Sequence, residues 1–329
     1  MGKELRWRSA GIEWLRVLAC AGIVAFHTDM PGAHFACNTL PAFAMVTIAL
    51  AAGSSARRPW TEFAVGRTYR LLIPWVLWST IYGSIQTAHA LGHGLPPLSW
   101  ATPWTLMAGA SFQLWFLPFA WTASLLCGAV VRMLPAGPGA SACAAWTGLG
   151  VASLFGAGYC LSRAPPHPPL EQWVFALPSI PLGMALATLE RGRRGIMRGC
   201  GLLVAVLGAC IGLQLAGGPQ DLNMSYAEDI VACVAAALAP WPAAGRTMAW
   251  SELSFGIYLS HPLVWMLVYR FIPGKVSDLA WVRFAGTAST FAAAAALTAV
   301  LGSTGLGALV GLKKKGPSEV YLGRAKRRR

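Results

Sequence analysis

The sequence predicts an all-α polytopic membrane protein, and three observations carry that prediction. Hydrophobic residues make up 56% of the 329-residue chain and charged residues only 12%, and the mean hydropathy is +0.54. A soluble domain of this size would carry far more polar surface. The apolar residues fall into about ten long runs, most of them near the roughly twenty residues that a helix needs to cross a bilayer. Basic residues collect in short clusters between these runs, as they do in cytoplasmic loops.

The basic start, Lys3, Arg6 and Arg8, predicts a cytoplasmic N-terminus and a first helix running outward over 12–27. No small-residue cleavage pattern accompanies it, so it reads as a retained span rather than a signal peptide. Segment two, 39–56, returns and delivers Arg57, Arg58, Arg67 and Arg70 to the inner side. Segment three, 71–88, leaves His89 and His93 outside. Segments four (112–133) and five (142–161) are joined by the PAGPGAS turn, and segment six (173–189) ends at the inner cluster ERGRRG. Segments seven (199–216) and eight (227–243) bracket an outer loop; segments nine (254–272) and ten (281–310) complete the set. An even count puts both termini in the cytoplasm, with the outer pair Arg270 and Lys275 as the exception to the charge rule. Residues 1–312 read as one membrane domain and 313–329 as a basic cytoplasmic tail whose simplest partner is anionic lipid.

The formal charge of +14 does not imply nucleic acid, because no basic domain exists to carry it. The eight cysteines lie mostly inside apolar runs with no CxxC pair, so they read as small buried residues, and no metal site is expected.

The first segment, IEWLRVLACAGIVAFH, contains groups that a bilayer tolerates poorly: Glu13, Arg16 and His27. From Arg16 to His27, eleven steps of about 100° make roughly three turns plus 20° and rise about 16 Å, so the two side chains share a face. Spacing alone allows two readings. Arg16 snorkels to the inner headgroups while His27 caps the outer end; or the pair marks a polar track, with a cation at the inner mouth and an imidazole deep in the path.

Arg67 and Arg70 stand three apart in FAVGRTYRLLIPW, neighbours on one helical face beside a kink expected at Pro74. There two guanidinium forks can grip phosphate or serve as ordinary inner anchors. Trp115 in QLWFL reads as an interfacial anchor or as the wall of a cavity. His261 in LSFGIYLSHPL is followed by Pro262, which frees a backbone carbonyl one turn back and suggests a helix break. An intramembrane histidine points to function, with a satisfied core histidine as its rival.

LRVLACAGIVAFH, FxxxRxxRLLIPW, QLWFL and LSFGIYLSHPL together resemble, in order, spacing and helix position, the family-3 membrane acyltransferases. These are polytopic O-acyltransferases of polysaccharides and related acceptors, and the resemblance covers nearly the whole chain. It implies a bacterial cytoplasmic-membrane enzyme that takes an acyl group from cytoplasmic acyl-CoA, by default acetyl-CoA, with no permanently bound cofactor. The acceptor it implies is a hydroxyl of a saccharide or lipid-linked saccharide met at the outer side. On the resemblance, His27 matches the essential histidine, Arg16 its paired arginine, and Arg67 and Arg70 the basic pair of the inner loop.

Three positions depart from the family pattern. Glu13 stands where aspartate is usual and still allows an i,i+3 pair with Arg16. Gln113 replaces a histidine before LWFL, so a titrating role is lost there. AMVTIALAAG replaces a small-residue signature in segment two, which puts a close helix approach at Thr47 in doubt.

The combined expectation is that Arg16, Arg67 and Arg70 bind the CoA phosphates, Glu13 orients Arg16, and His27 acts as general base. Trp115 and His261 then shape the acceptor side. A transporter or flippase for a lipid-linked or polar solute, which lines a path with the same groups and makes no bond, is the alternative. A lipid-binding scaffold would leave all of these residues replaceable.

Overall fold

A computed structural model describes residues 10–33, 39–133, 139–189, 192–241, 245–269, 279–304 and 306–311, with the backbone alone for 245–248. The predicted residues Lys3, Arg6, Arg8, Arg270 and Lys275, Glu190 and Arg191 of the inner cluster, and the basic tail 313–329 lie outside the described residues. Among the described residues the regular structure is entirely helical. Besides the single turn Thr105–Ala108, the α-helices are α1 (Ala10–His27), α2 (Leu40–Ser55), α3 (Trp60–Gly92), α4 (Phe116–Met133), α5 (Ala140–Arg163), α6 (Leu170–Ala176) and α7 (Ser179–Ala187). They continue as α8 (Arg193–Leu215), α9 (Gln220–Leu238), α10 (Gly245–Tyr269) and α11 (Ala280–Ser303). Each predicted segment falls on one of these, segment six on the α6–α7 pair.

Among the described residues, six stretches of helix are long and apolar enough to cross a membrane: α1, α4 with the 3-10 turn Phe112–Trp115 before it, α5, α6 with α7, α8 and α11. Two of the others differ from their predicted segments for local reasons. α2 is apolar but has 16 residues, about 24 Å of helix against roughly 30 Å of hydrocarbon. Its start is sunk against α1, where the Thr39 hydroxyl donates to the Ala19 carbonyl at 2.7 Å. Starting there leaves backbone N–H groups buried, and the Asp229 carboxylate of α9 accepts from the Ala42 N–H at 2.8 Å. α3 is longer than segment three, because FAVGRTYR is helical and continuous with the span, giving 33 residues.

Segment ten ends early. Its helix stops at Ser303, and a 3-10 turn at Gly307–Val310 folds back on α3, where Trp78 donates its indole N–H to the Leu309 carbonyl at 2.7 Å. Gly311 closes this strap at φ +65°, and a Cβ there would meet the Phe255 ring at 2.8 Å and the Arg70 carbonyl at 3.2 Å. Only glycine suits both demands.

The close helix approach in segment two is not at Thr47, whose hydroxyl merely bonds the Phe43 carbonyl one turn back. It is made from the other side by Gly183 of α7, where a Cβ would lie 2.7 Å from the Met45 carbonyl oxygen and 2.8 Å from the Ile48 Cβ. Small residues at such crossings let helices pack in lipid. Gly183→Val is expected to destabilise the protein by about 1–3 kcal/mol, the usual cost of overpacking, seen as a lower thermal midpoint in detergent.

Candidate active site

α1 lies alongside α10 through a single stripe. Ser251 donates to the Glu13 carboxylate, the Cys20 thiol donates to the Ser254 carbonyl at 3.2 Å, and the His27 and His261 rings stand 5.3 Å apart. Positions 13, 20 and 27 recur every seven residues, so at about 100° per residue they stay within roughly 40° of one another, with Arg16 about 20° further on. Sequence numbers rise together on both helices, so α1 and α10 run parallel.

At the lower end of the stripe, Arg16 pairs with Glu13 at 3.1 Å. The half-buried Arg67 feels the guanidinium charges of Arg70, Arg58 and Arg16, so the cations of α1 and of the start of α3 gather in one place. Like charges repel, and the fold holds them by other means. Arg67 stacks on the Phe63 ring at 5.5 Å, and Arg132 of α4 stacks on the same ring at 5.6 Å and on Trp60 at 5.1 Å. Arg132 also donates to the Ser55 and Arg58 carbonyls at 2.9 and 2.6 Å, clamping the turn between α2 and α3.

At the upper end, His27 is the last residue of α1 and keeps solvent-accessible surface, although the Phe26 and His261 rings crowd it. The C-terminal end of α1 is tied to α11 by a Thr28–Thr287 hydroxyl pair at 2.7 Å and by Arg283, which donates to the Asp29 carbonyl at 3.3 Å. His261 is fully buried inside an unbroken α10. Pro262 does not break the helix, because the carbonyl it frees, that of Tyr258, accepts from His261 Nδ1 at 2.8 Å. A carbonyl can only accept, so Nδ1 carries the hydrogen; Nε2 has no hydrogen-bond partner among the described residues.

Trp115 is buried beside this centre rather than at an interface, against Phe116 and Phe119 at 5.9 Å. Phe116 meets Tyr258 at 5.8 Å and Tyr258 meets His261 at 6.1 Å, so Trp115 reaches the imidazoles through two intervening rings. The hydroxyl of Tyr258 donates to the Gln113 carbonyl, and Tyr82 of α3 donates to the Leu259 carbonyl at 3.0 Å. No cluster of three metal-binding side chains occurs among the described residues.

A family model for the acyltransferase domain matches residues 9–299. The chain belongs to acyltransferase family 3. No curated protein and no solved structure matches the sequence. Within this family-3 acyltransferase, the matched stretch contains both ends of the stripe, from Glu13 to His261.

The seven residues singled out by sequence thus occupy two places: Glu13, Arg16, Arg67 and Arg70 at one end, His27 and His261 at the other, with Trp115 buried behind. Several residues of this family-3 acyltransferase escaped sequence reasoning. Arg132, Tyr258 and Ser251 carried no sequence signal of their own, and Cys20 read only as one of the small buried cysteines. Gln113 lost interest with the absent histidine, yet it is buried and its carbonyl holds Tyr258. The seven-residue recurrence of 13, 20 and 27 was the signal that would have flagged Cys20.

Proposed function

We propose that this protein is a membrane O-acyltransferase of the bacterial cytoplasmic membrane that moves an acyl group, acetyl by default, from acyl-CoA to a saccharide or lipid-linked saccharide hydroxyl. The observation that supports this reading is the stripe on α1, with gathered guanidiniums at one end and an imidazole pair about 16 Å further along. CoA is a polyanion with a long thin arm; its phosphates suit Arg16, Arg67 and Arg70, and its arm suits the length of the stripe. Glu13 orients Arg16, and Trp115 and His261 stand on the acceptor side. Both termini face the cytoplasm in this reading, and the basic tail 313–329 meets anionic lipid.

The transfer is simple in atoms. His27 takes the proton of the acceptor hydroxyl as its oxygen attacks the thioester carbonyl. The C–S bond then breaks, and the CoA thiolate takes the proton back from the imidazolium. The test is to give radiolabelled acetyl-CoA to membranes with and without the protein and to follow label into surface glycan and its lipid-linked precursors. Protein-dependent transfer is the expected result. Intact acetyl-CoA together with movement of a lipid-linked solute would favour the transporter reading.

A further inference from the structure

A buried histidine that serves packing alone satisfies both ring nitrogens or hides the second among apolar atoms far from chemistry. His261 does neither. Its Nδ1–H is committed to the Tyr258 carbonyl that Pro262 leaves unpaired, so its Nε2 presents a lone pair, and that atom is buried without a partner among the described residues. The ring beside it is His27, with centroids 5.3 Å apart and planes inclined by 34°. Two imidazoles joined edge to edge by an N–H···N hydrogen bond have centroids roughly 5 Å apart, given a donor–acceptor distance of about 2.9 Å. The observed 5.3 Å is close to that separation. His27 is placed to make that bond, because it ends its helix and its ring nitrogens make no hydrogen bond to the described residues.

We propose that His261 is a positioning residue for His27: its bare Nε2 accepts the N–H of the His27 ring, which leaves the other His27 nitrogen unprotonated and aimed at the acceptor hydroxyl. The chain of bonds runs from the Tyr258 carbonyl through His261 to His27, and an uncharged imidazole does the orienting that a carboxylate does in a serine-hydrolase triad. In the membrane interior a neutral partner avoids the desolvation cost that a buried carboxylate would carry. Tyr258 fixes the far side, since its ring flanks His261 at 6.1 Å and its hydroxyl is anchored on Gln113. The proposal rests on His27 being the base.

The experiment uses the full chain in membranes and radiolabelled acetyl-CoA, with the rate read at saturating donor. His261→Ala is expected to lower that rate about 100-fold, the scale of a misplaced catalytic group, while the KM for acetyl-CoA is unchanged. His261→Gln, whose amide oxygen falls near the Nε2 position, is expected to stay within about tenfold of the natural protein. Added imidazole should restore part of the His261→Ala rate. A natural rate in His261→Ala, or equal losses in the Ala and Gln variants, would overturn the proposal, and so would no response to imidazole in a His261→Ala variant that elutes in detergent as the natural protein does. If the natural protein transfers no label, or His27→Ala transfers it undiminished, the functional reading itself fails; if both controls behave, a failure belongs to His261 alone.

Discussion

His27→Ala is expected to lower acyl transfer by about 10²–10⁴-fold, the range that a positioned general base contributes, with the protein still inserted at its normal level. The residue ends α1, keeps solvent-accessible surface and makes no hydrogen bond from its ring to a described residue, so its loss removes no hydrogen-bonded tie. Label transfer per unit of membrane protein, alongside the elution profile in detergent, separates chemistry from folding. Full activity in a well-behaved variant would remove His27 from the reaction.

Arg67→Gln and Arg70→Gln are expected to act on the donor instead. A charge-assisted hydrogen bond contributes about 1.5–3 kcal/mol, so each loss should raise the KM for acetyl-CoA roughly 10- to 150-fold with a smaller change in the maximal rate. The effect should weaken with 3′-dephospho-CoA as donor carrier, because fewer phosphate contacts remain to be lost, and with added salt. An unchanged KM in both variants would make these arginines ordinary inner anchors.

What was legible in the sequence was whatever depends on short-range periodicity. The shared face of Arg16 and His27 follows from helical pitch, and the Glu13–Arg16 pair at 3.1 Å from an i,i+3 spacing. The helical segments follow from runs of apolar residues, and the family from motifs that each lie within one helix. Contacts between distant residues were not legible. Nothing in the spacing joins Cys20 to Ser254, Asp229 to Ala42, or Arg132 to the Arg58 carbonyl.

Two local rules also misled, for physical reasons. Pro262 suggested a break, but a neighbouring side chain satisfies the freed carbonyl and the helix continues. The apolar run to Val310 suggested one long span, but the Trp78 indole and a left-handed glycine draw its end back onto α3.

The parallel contact between α1 and α10 bears on how the chain enters the membrane. α1 is made before α10 and carries a carboxylate on its buried stripe, and the hydroxyl that receives that carboxylate, Ser251, is synthesised more than two hundred residues later. In the interval Glu13 has its near neighbour Arg16 as companion, which spares the bilayer a lone charge. Biogenesis therefore favours keeping the acid and the base within one helical turn, independently of anything either group does for turnover.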